Sequence, residues 1–374
     1  MANPFPVAPG PFSALHRHRI LSPTAGVKVS PLCLGSMNFG NAWKAVMGDC
    51  DKETAFEMMD FFHAQGGNFI DTSNNYQGEE SEEWIGEWMA ERGVRDQMII
   101  ATKYTTFYAT HLDEKAIRSN YGGNSAKSLH VSVKASLKKI RTDYIDVLYV
   151  HWWEYTTSVG ELMHSLNSLV ESGKVLYLGI SDTPAWIVSK ANEYARSHGL
   201  RPFSVYQGRW SAALRDFERD IIPMCEAEGM ALAPWGALGG GNSKSEAQRA
   251  ENSGRKFTRA GADRDNIVSA ALEKIATRKR TLITSVALSY VMHKAPYVFP
   301  IVGGRTVDHL RGNIEALSLR LSEDDIKEIE SAVPFDVGFP MNMLGHGPDP
   351  GRIEFDKVFL NHTSGHFDVI PPVK

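Results

Sequence analysis

Short apolar runs alternate with longer amphipathic segments from residue 28 to residue 333. The apolar runs are predicted to be strands within 29–40, 68–73, 97–104, 145–153, 175–181, 203–210, 230–241 and 297–304. Between them, apolar side chains recur at three- and four-residue spacing, as Phe56, Met59 and Phe62 do, which predicts helices. The helices are expected at 51–66, 80–93, 125–140, 159–173, 184–199, 218–229, about 264–277, 281–294, 307–318 and 322–333.

Eight predicted strands, each followed by helical sequence, favour a (β/α)₈ TIM barrel over a doubly wound sheet. Several strands are apolar throughout, as parallel strands buried on both faces are. We expect residues 18–30 to form an N-terminal β-hairpin that closes the barrel bottom. A long loop after strand 7 is predicted at 240–262, where Gly, Ser and charged residues dominate. Without a linker, we expect one domain over 1–374, with a barrel core at about 29–335 and a tail over the mouth at 336–374.

Charge and cysteine content limit the partners. A net charge of −4 gives no reason to expect nucleic acid or an anionic membrane. No apolar run approaches the roughly 18 residues that span a bilayer, and the N-terminus lacks the pattern of a signal peptide. Three scattered cysteines are too few for a disulfide framework. These features predict a cytoplasmic protein that acts on a small molecule; oligomeric state stays open.

Polar side chains follow three successive predicted strands, and Tyr76 comes soon after the first of them. Asp71 ends the second strand, Lys103 the third and His151 the fourth. Catalytic groups of such barrels sit at the carboxyl ends of the strands. Taken singly, each residue could be a turn cap or a solvated side chain. Together they favour a catalytic group at the barrel mouth.

These four residue types suit the reduction of a carbonyl group by hydride. A phenol with a pKa near ~10 is a weak acid at neutral pH, and a neighbouring ammonium lowers that pKa. A carboxylate behind the lysine would keep it charged and aimed, and a histidine would orient the carbonyl oxygen. No nucleophile is evident, so acyl transfer and glycoside cleavage fit poorly.

Five segments carry a resemblance to a known superfamily: GGNFIDTSNNY, ATKY, DVLYVHWW, LGISDTPAW and PIVGGRTVDHLRGNIEAL. They resemble the aldo-keto reductases, and in particular the fungal aryl-alcohol dehydrogenases and norsolorinic acid reductases. The resemblance covers about residues 18–335. It implies NADPH-dependent reduction of aldehydes and ketones on a (β/α)₈ barrel. It also implies Tyr76 as general acid, Asp71 and Lys103 as the groups that tune it, and His151 as the group that directs the carbonyl.

The same resemblance implies a site for NADP(H). Ser181 and Asp182 stand where the family has Ser-Asn against the nicotinamide carboxamide, and an ionised Asp can only accept hydrogen bonds. Gln207 matches a second carboxamide contact, and Trp235 an aromatic ring stacked on the nicotinamide. Arg305 favours NADP over NAD because a guanidinium pairs with phosphate. The other implied cofactor contacts are Gly236, Leu238, Gly303, Gly304, His309 and Asn313.

Aromatic residues close to the strand ends predict a substrate pocket for flat, apolar carbonyl compounds. The predicted lining is Trp43, Tyr104, Tyr108, Trp152 and Trp153. Residues 335–346 are predicted to close over the substrate, and Lys244, Arg255 or Lys256 of the long loop are candidate pyrophosphate contacts.

Several other features point elsewhere and are weaker. Tyr290 and Lys294 match Tyr-x-x-x-Lys of short-chain dehydrogenases, but the N-terminal glycine-rich dinucleotide turn of that class is missing. The glycine-rich run at 236–241 does not lie in a Rossmann βαβ unit with an acidic partner. His16 and His18 lack a third ligand, so no metal is predicted. The alternative function is a cofactor-binding regulatory subunit resembling potassium-channel β subunits. A sugar isomerase is a distant third.

Overall fold

Eight parallel strands form one sheet in which each strand pairs with the next along the chain. The computed structural model describes residues 5, 7–239, 262–344 and 358–365. The sheet order is β10-β3-β4-β5-β6-β7-β8-β9, and an antiparallel pair, β1 with β2, stands apart from it. The strands are β1 Arg19–Ser22, β2 Ala25–Val29, β3 Cys33–Gly35, β4 Phe69–Asp71, β5 Ile99–Tyr104, β6 Ile145–Val150, β7 Val175–Ser181, β8 Val205–Arg209, β9 Ala231–Trp235 and β10 Ile301–Val302.

The sheet closes into a barrel between β9 and the segment before β10. The amide of Leu232 donates to the carbonyl of Tyr297 over 3.0 Å, and that of Phe299 donates to the carbonyl of Leu232 over 2.8 Å. The predicted strand at 297–304 is much shorter in the structure, because Pro300 has no N–H to donate. The predicted (β/α)₈ barrel with its N-terminal hairpin is confirmed.

Helices surround the barrel wherever the amphipathic pattern predicts them. Side chains of Asp51, Ser125, Ser158, Thr306 and Ser322 cap the first turns of five of them. Three short helices, α1, α12 and α13, were not predicted. The helices are α1 Lys44–Met47, α2 Lys52–Ala64, α3 Glu80–Arg92, α4 Ala126–Ile140, α5 Val159–Glu171, α6 Ala185–Ser197, α7 Ile221–Glu228, α8 Ala262–Lys279, α9 Ile283–Lys294, α10 Val307–Glu315, α11 Glu323–Ala332, α12 Met341–Leu344 and α13 Phe359–Ser364.

The apolar core has two parts, one in the barrel interior and one between the sheet and the helices. Alternate residues of the strands, such as Phe69 and Tyr149, fill the interior together with Phe299 from the segment before β10. Leu21 and Val29 of the hairpin belong to the same cluster. The hairpin therefore plugs the amino-terminal end of the barrel and leaves the carboxyl end, here called the mouth, for chemistry.

The predicted tail and long loop are only partly covered by the described residues. The guanidinium of Arg219, after β8, donates to the carbonyl oxygens of Val337 over 3.0 Å and Asp336 over 3.2 Å, so the tail runs along the mouth side. Lys244, Arg255 and Lys256 lie outside the described residues. Among the residues that are described, no helix is both long and apolar enough to cross a membrane.

Candidate active site

Adjacent strands place Asp71 and Lys103 against each other inside the mouth. Asp71 pairs in register with Ala101, so Lys103, two residues further along β5, faces the same interior. Its ammonium donates to Asp71 Oδ1 over 2.6 Å, to the carbonyl of Thr72 over 2.6 Å and to the Tyr76 hydroxyl over 3.2 Å. Lys103 has no exposed surface. All three of its donor positions are therefore used within the site.

A left-handed turn directly behind Tyr76 aims the phenol at Lys103. Gln77, Gly78 and Glu79 have φ values of 54°, 62° and 88°, a run that non-glycine residues rarely adopt. The Gln77 side chain anchors the turn: it donates to the carbonyl of Met37 over 2.9 Å and accepts from the amide of Trp43 over 2.7 Å. The position of the phenol is thus determined by contacts with another loop.

The pKa values of the phenol and the ammonium follow from burial and from their mutual contact. Burial raises the pKa of Tyr76, and Lys103 opposes this, as the sequence predicts, without outweighing it. Burial by itself would lower the pKa of Lys103, but Asp71 and Tyr76 more than compensate, so that pKa lies above its ordinary value. At neutral pH the phenol therefore keeps its proton beside a charged ammonium.

His151 follows β6 and faces the same space as Tyr76, with ring centroids 6.1 Å apart. Burial, and then Lys103, lower its pKa well below 6.5, so the ring is neutral at physiological pH. Its Nδ1 lies 3.0 Å from Thr106 Oγ1 and 3.3 Å from Ser73 Oγ. Because the Trp152 indole N–H donates to the Thr106 hydroxyl over 2.9 Å, that hydroxyl is free to donate to Nδ1. With Thr106 as the donor, the ring proton lies on Nε2.

Gln207 has a role that the sequence did not reveal. Its Nε2 donates to Asp71 Oδ2 over 2.8 Å, across 136 residues of chain. Both oxygens of Asp71 are therefore bonded, one by Lys103 and one by Gln207. The amide oxygen of Gln207 takes no part in this contact, and its lone pairs suit a carboxamide N–H₂ donor. Gln207 thus links the proton-donating group to the expected cofactor site.

Ser181, Asp182 and Trp235 form one hydrogen-bonded group beside Gln207. Asp182 Oδ2 accepts from the Trp235 indole N–H and from the Ser181 hydroxyl, each over 3.2 Å. The amide of Asp182 donates to the carbonyl of Gln207 over 3.0 Å. Burial raises the pKa of Asp182 to about 6. The residues predicted to meet the nicotinamide therefore do lie together.

A second group of predicted cofactor residues follows β10. Gly303 and Gly304 lead to Thr306, whose hydroxyl accepts from the amide of His309 over 3.3 Å and caps α10. A helix amino terminus with glycines before it is suited to a phosphate. Arg305 lies against the backbone of Gly48: a methyl group placed on Gly48 would come within 2.4 Å of its guanidinium. Asn313 is buried on the same helix.

The comparisons with known proteins agree with this geometry. The model of the aldo/keto reductase family matches residues 31–334. The chain belongs to the aldo/keto reductase family.

Curated relatives in this family are similar over almost their whole length. Norsolorinic acid reductase B of Dothistroma septosporum is 61% identical over 367 residues, 96% of this chain and 93% of the relative. Norsolorinic acid reductase A of Aspergillus parasiticus is 60% identical over 343 residues, 92% and 88% of the two chains. An aryl-alcohol dehydrogenase of Pestalotiopsis microspora is 54% identical over 365 residues, 97% and 94%. These similarities make the chain an oxidoreductase of the carbonyl-reductase type.

The predicted aromatic pocket of this aldo/keto reductase divides into exposed and buried members. Trp43 meets the ring of Tyr76 edge-on at 6.2 Å, and Trp152 stacks on His151 at 4.7 Å with 43% of its surface exposed. Tyr104 is fully buried, and its hydroxyl donates to the carbonyl of Asn124 over 3.2 Å. Its side chain faces the outer core because it alternates with Lys103 on β5, so the prediction of Tyr104 as a lining residue is wrong.

Two further predicted aromatics pack inward. Tyr108 is 4% exposed, and its hydroxyl donates to the carbonyl of Val131 over 3.2 Å. Trp153 packs against the main core. Of the predicted lining residues, Trp43 therefore lies beside the phenol and Trp152 beside the imidazole.

The weaker motifs have structural roles in the described residues. The Tyr290 hydroxyl lies 3.1 Å from the Glu218 carboxylate and 3.0 Å from that of Glu330, and donates its one hydrogen to either of them; Lys294 pairs with Glu330 at 2.8 Å. This buried network lies on the helical layer. His18 Nε2 contacts the carbonyl of Gly66 at 2.7 Å, and no group of three metal-ligating side chains occurs among the described residues.

Two residues near the mouth were not predicted from the sequence. Thr106 acts on Nδ1 of His151 from two residues beyond β5, and nothing in its local sequence indicates that contact. Arg209 ends β8 two residues after Gln207, so strand alternation could have placed it on the inner face. Its guanidinium lies 5.8 Å from the centre of the Trp235 ring, and its buried Nε has no hydrogen-bond partner among the residues that the structure describes.

Proposed function

We propose that the chain is an NADPH-dependent reductase that interconverts an aryl aldehyde or aryl ketone and its alcohol. The observation that carries the proposal is the buried Lys103 ammonium, held between the Asp71 carboxylate at 2.6 Å and the Tyr76 hydroxyl at 3.2 Å. A protonated phenol beside a fixed positive charge is suited to donate its proton to an alkoxide as that alkoxide forms.

The residues at the mouth fit a nicotinamide cofactor by their donor and acceptor types. Asp182 and the Gln207 amide oxygen would accept from the carboxamide N–H₂, and Trp235 would pack against the ring. Glycines 303–304, the capped start of α10 and Arg305 suit the phosphates. The bound cofactor would supply the hydride. Preference for NADP over NAD rests on Arg305 as a phosphate partner.

Tyr76 would act as the general acid of the reduction. The raised pKa keeps its proton in place until negative charge develops on the substrate oxygen. The Lys103 ammonium then stabilises the phenolate that remains, and Asp71 keeps that ammonium aimed at the phenol. Gln207 holds the second oxygen of Asp71, so the carboxylate cannot rotate away without breaking a buried hydrogen bond.

His151 would position the carbonyl group. As a neutral ring with its proton on Nε2, it can donate a hydrogen bond to the substrate oxygen from the side opposite Nδ1. In that tautomer Nδ1 accepts a hydrogen bond from the Thr106 hydroxyl. Together with the phenol, the imidazole provides two donors for one oxygen, which is what a developing alkoxide requires.

The aryl preference rests on the exposed aromatics and on the relatives. Trp43 lies edge-on to the phenol and Trp152 stacks on His151, so both indoles add flat apolar surface close to the proton donor. The relatives' names refer to norsolorinic acid and to aryl alcohols. We infer an aromatic carbonyl compound, with a part in secondary metabolism, and retain the sequence-based prediction of a cytoplasmic enzyme.

The test is NADPH consumption by the purified chain with a panel of aryl aldehydes, aryl ketones and aliphatic aldehydes. We expect multiple turnovers with aryl substrates and at least about 10²-fold lower activity in Tyr76→Phe, with unchanged NADPH affinity. Tyr144→Phe is a matched control, since the Tyr144 hydroxyl donates to the exposed Asp96 at 3.0 Å, away from the mouth. NADPH binding without turnover would contradict the proposal and favour a regulatory subunit. Near wild-type activity of Tyr76→Phe would refute the assignment of the acid.

A further inference from the structure

Asp182 places a negative charge where an amide would suffice to bind a carboxamide. Its backbone is left-handed, with φ at 41°, a conformation that Asn adopts at least as readily as Asp. Its Oδ2 accepts from Trp235 and Ser181, and the carbonyl oxygen of an asparagine could accept the same bonds. Neither the turn nor the hydrogen bonds therefore require a carboxylate. The charge itself is left to be explained.

Within the described residues, no cation forms a salt bridge with Asp182. Lys103 is the cation that lowers its pKa, and the Lys103 ammonium already bonds Asp71 at 2.6 Å. Burial raises the pKa of Asp182 to about 6, so the carboxylate is ionised at neutral pH in spite of its poor solvation. A half-buried anion without its own cation is costly to the folded protein. A positive charge on a bound ligand would offset this cost.

We propose that Asp182 selects the oxidised cofactor, by attracting the positive charge that the nicotinamide ring carries in NADP⁺ and lacks in NADPH. The inference rests on the proposed function, since it assumes that the ring lies in this site. The carboxamide is the same in NADP⁺ and NADPH, so contacts with it do not distinguish the two redox states, whereas a charge beside the ring does.

The position of the ring follows from the geometry of the proton donor. A hydride donor has to come within roughly 3–3.5 Å of the carbonyl carbon whose oxygen meets the Tyr76 hydroxyl. Asp182 is close enough to Tyr76 to raise its pKa, and it bonds the indole of Trp235, which forms the adjacent wall. A ring between phenol and indole is thus next to the carboxylate. The two forms of the cofactor differ there by one unit of charge.

Arg209 supplies a charge of opposite sign at the same wall. Its guanidinium is 5.8 Å from the centre of the Trp235 ring, while Asp182 bonds the indole nitrogen. The two side chains therefore act on the same ring site with opposite sign. If charge decides the redox preference, removal of Asp182 and removal of Arg209 should change it in opposite directions.

The experiment measures the dissociation constants of NADP⁺ and NADPH by calorimetry at pH 8. The two ligands are identical away from the ring, so the ratio Kd(NADPH)/Kd(NADP⁺) isolates the effect on the ring. Asp182→Asn should lower this ratio by about tenfold, which corresponds to about 30 mV in the potential of the bound couple. Asp96→Asn is the control, since Asp96 is exposed before β5 at the opposite end of the barrel. Arg209→Met should raise the ratio.

Three results would overturn the inference. An unchanged ratio in Asp182→Asn would show that the carboxylate does not sense the charge of the ring. A fall in both Asp182→Asn and Arg209→Met would indicate lost packing around Trp235 instead of an effect of charge. A wild-type chain that binds neither ligand would refute the proposed function, and this inference with it. Binding of both ligands with an unchanged ratio would refute the inference alone.

Discussion

The Lys103 ammonium donates to the Tyr76 hydroxyl over 3.2 Å from a position without exposed surface. The two side chains lie on different elements, the end of β5 and the turn after β4. Their contact exists because adjacent parallel strands end at the same edge of the barrel. Because the ammonium is buried, water cannot take over its contacts when it is removed. The contact should therefore affect both activity and stability.

Lys103→Met should lower kcat/KM for an aryl aldehyde by about 10²–10⁴-fold, because the phenolate loses its stabilising charge. Steady-state kinetics would measure the loss. Lys294→Met is the matched control: Lys294 is also a buried lysine, paired with Glu330 at 2.8 Å, but on the helical layer. It should lower stability and leave kcat/KM close to wild type. Equal losses of activity in both variants would contradict a specific role for Lys103.

Thr106→Val should lower kcat/KM about tenfold or more, because Nδ1 of His151 loses the hydroxyl that donates to it. The imidazole proton would then distribute over both nitrogens, and Nε2 would offer it less often to the substrate. Thr277→Val, at an exposed hydroxyl on α8 that bonds the carbonyl of Glu273 over 2.9 Å, controls for the loss of a hydroxyl. Wild-type kinetics in Thr106→Val would count against the assigned tautomer.

Gln77→Ala should reduce kcat more than it changes NADPH affinity. The side chain joins the left-handed turn after Tyr76 to Met37 and Trp43. Without these two hydrogen bonds the phenol is less well positioned, and small displacements of a reacting group are costly. Gln97→Ala, at an exposed glutamine near His63, is the control. A loss confined to NADPH affinity would show that Gln77 acts elsewhere.

Asp182→Asn should stabilise the protein in the absence of cofactor. The folded pKa of about 6 lies above the ordinary value of 3.8 for an aspartate side chain. Between these values the unfolded chain loses its proton first, so the wild type loses stability as pH rises from about 4 to 6, and the loss is complete above pH 6. The variant should gain about 1–2 kcal/mol at pH 7.5, after allowance for partial exposure. Thermal unfolding at several pH values would detect it, and a gain that does not shrink toward pH 4 would contradict the cause.

Glu218→Ala should lower the free energy of unfolding by about 3–5 kcal/mol, because a buried charge network loses its centre. Glu218 is fully buried and accepts from Trp210 over 3.0 Å, from Arg215 over 2.8 Å and from Tyr290 over 3.1 Å. Glu193→Ala, an exposed partner of Arg196 at 3.0 Å, should change stability by less than about 1 kcal/mol. Denaturant unfolding compares the two. Similar losses of unfolding free energy in Glu218→Ala and Glu193→Ala would contradict a special contribution of the buried network.

Local patterns in the sequence determined the barrel, because the hydrophobic spacing that predicts each strand or helix lies within that element. The predicted helix at 51–66 forms as Lys52–Ala64 behind the cap of Asp51, and the predicted strand at 145–153 forms as Ile145–Val150. Strand ends meet at one edge in such a fold, so the neighbourhood of Asp71, Lys103 and His151 also followed from their order in the chain.

Contacts between distant segments were decided by the tertiary structure alone. The bond from Gln207 to Asp71 spans 136 residues, and no local signal announces it. Tyr104 is buried while its neighbour Lys103 reaches the site, because alternate residues of a strand face opposite sides. The pKa of Asp182 depends on how far the surrounding elements exclude water from it. The sequence determined which side chains come to the mouth; packing determined their partners and their charge.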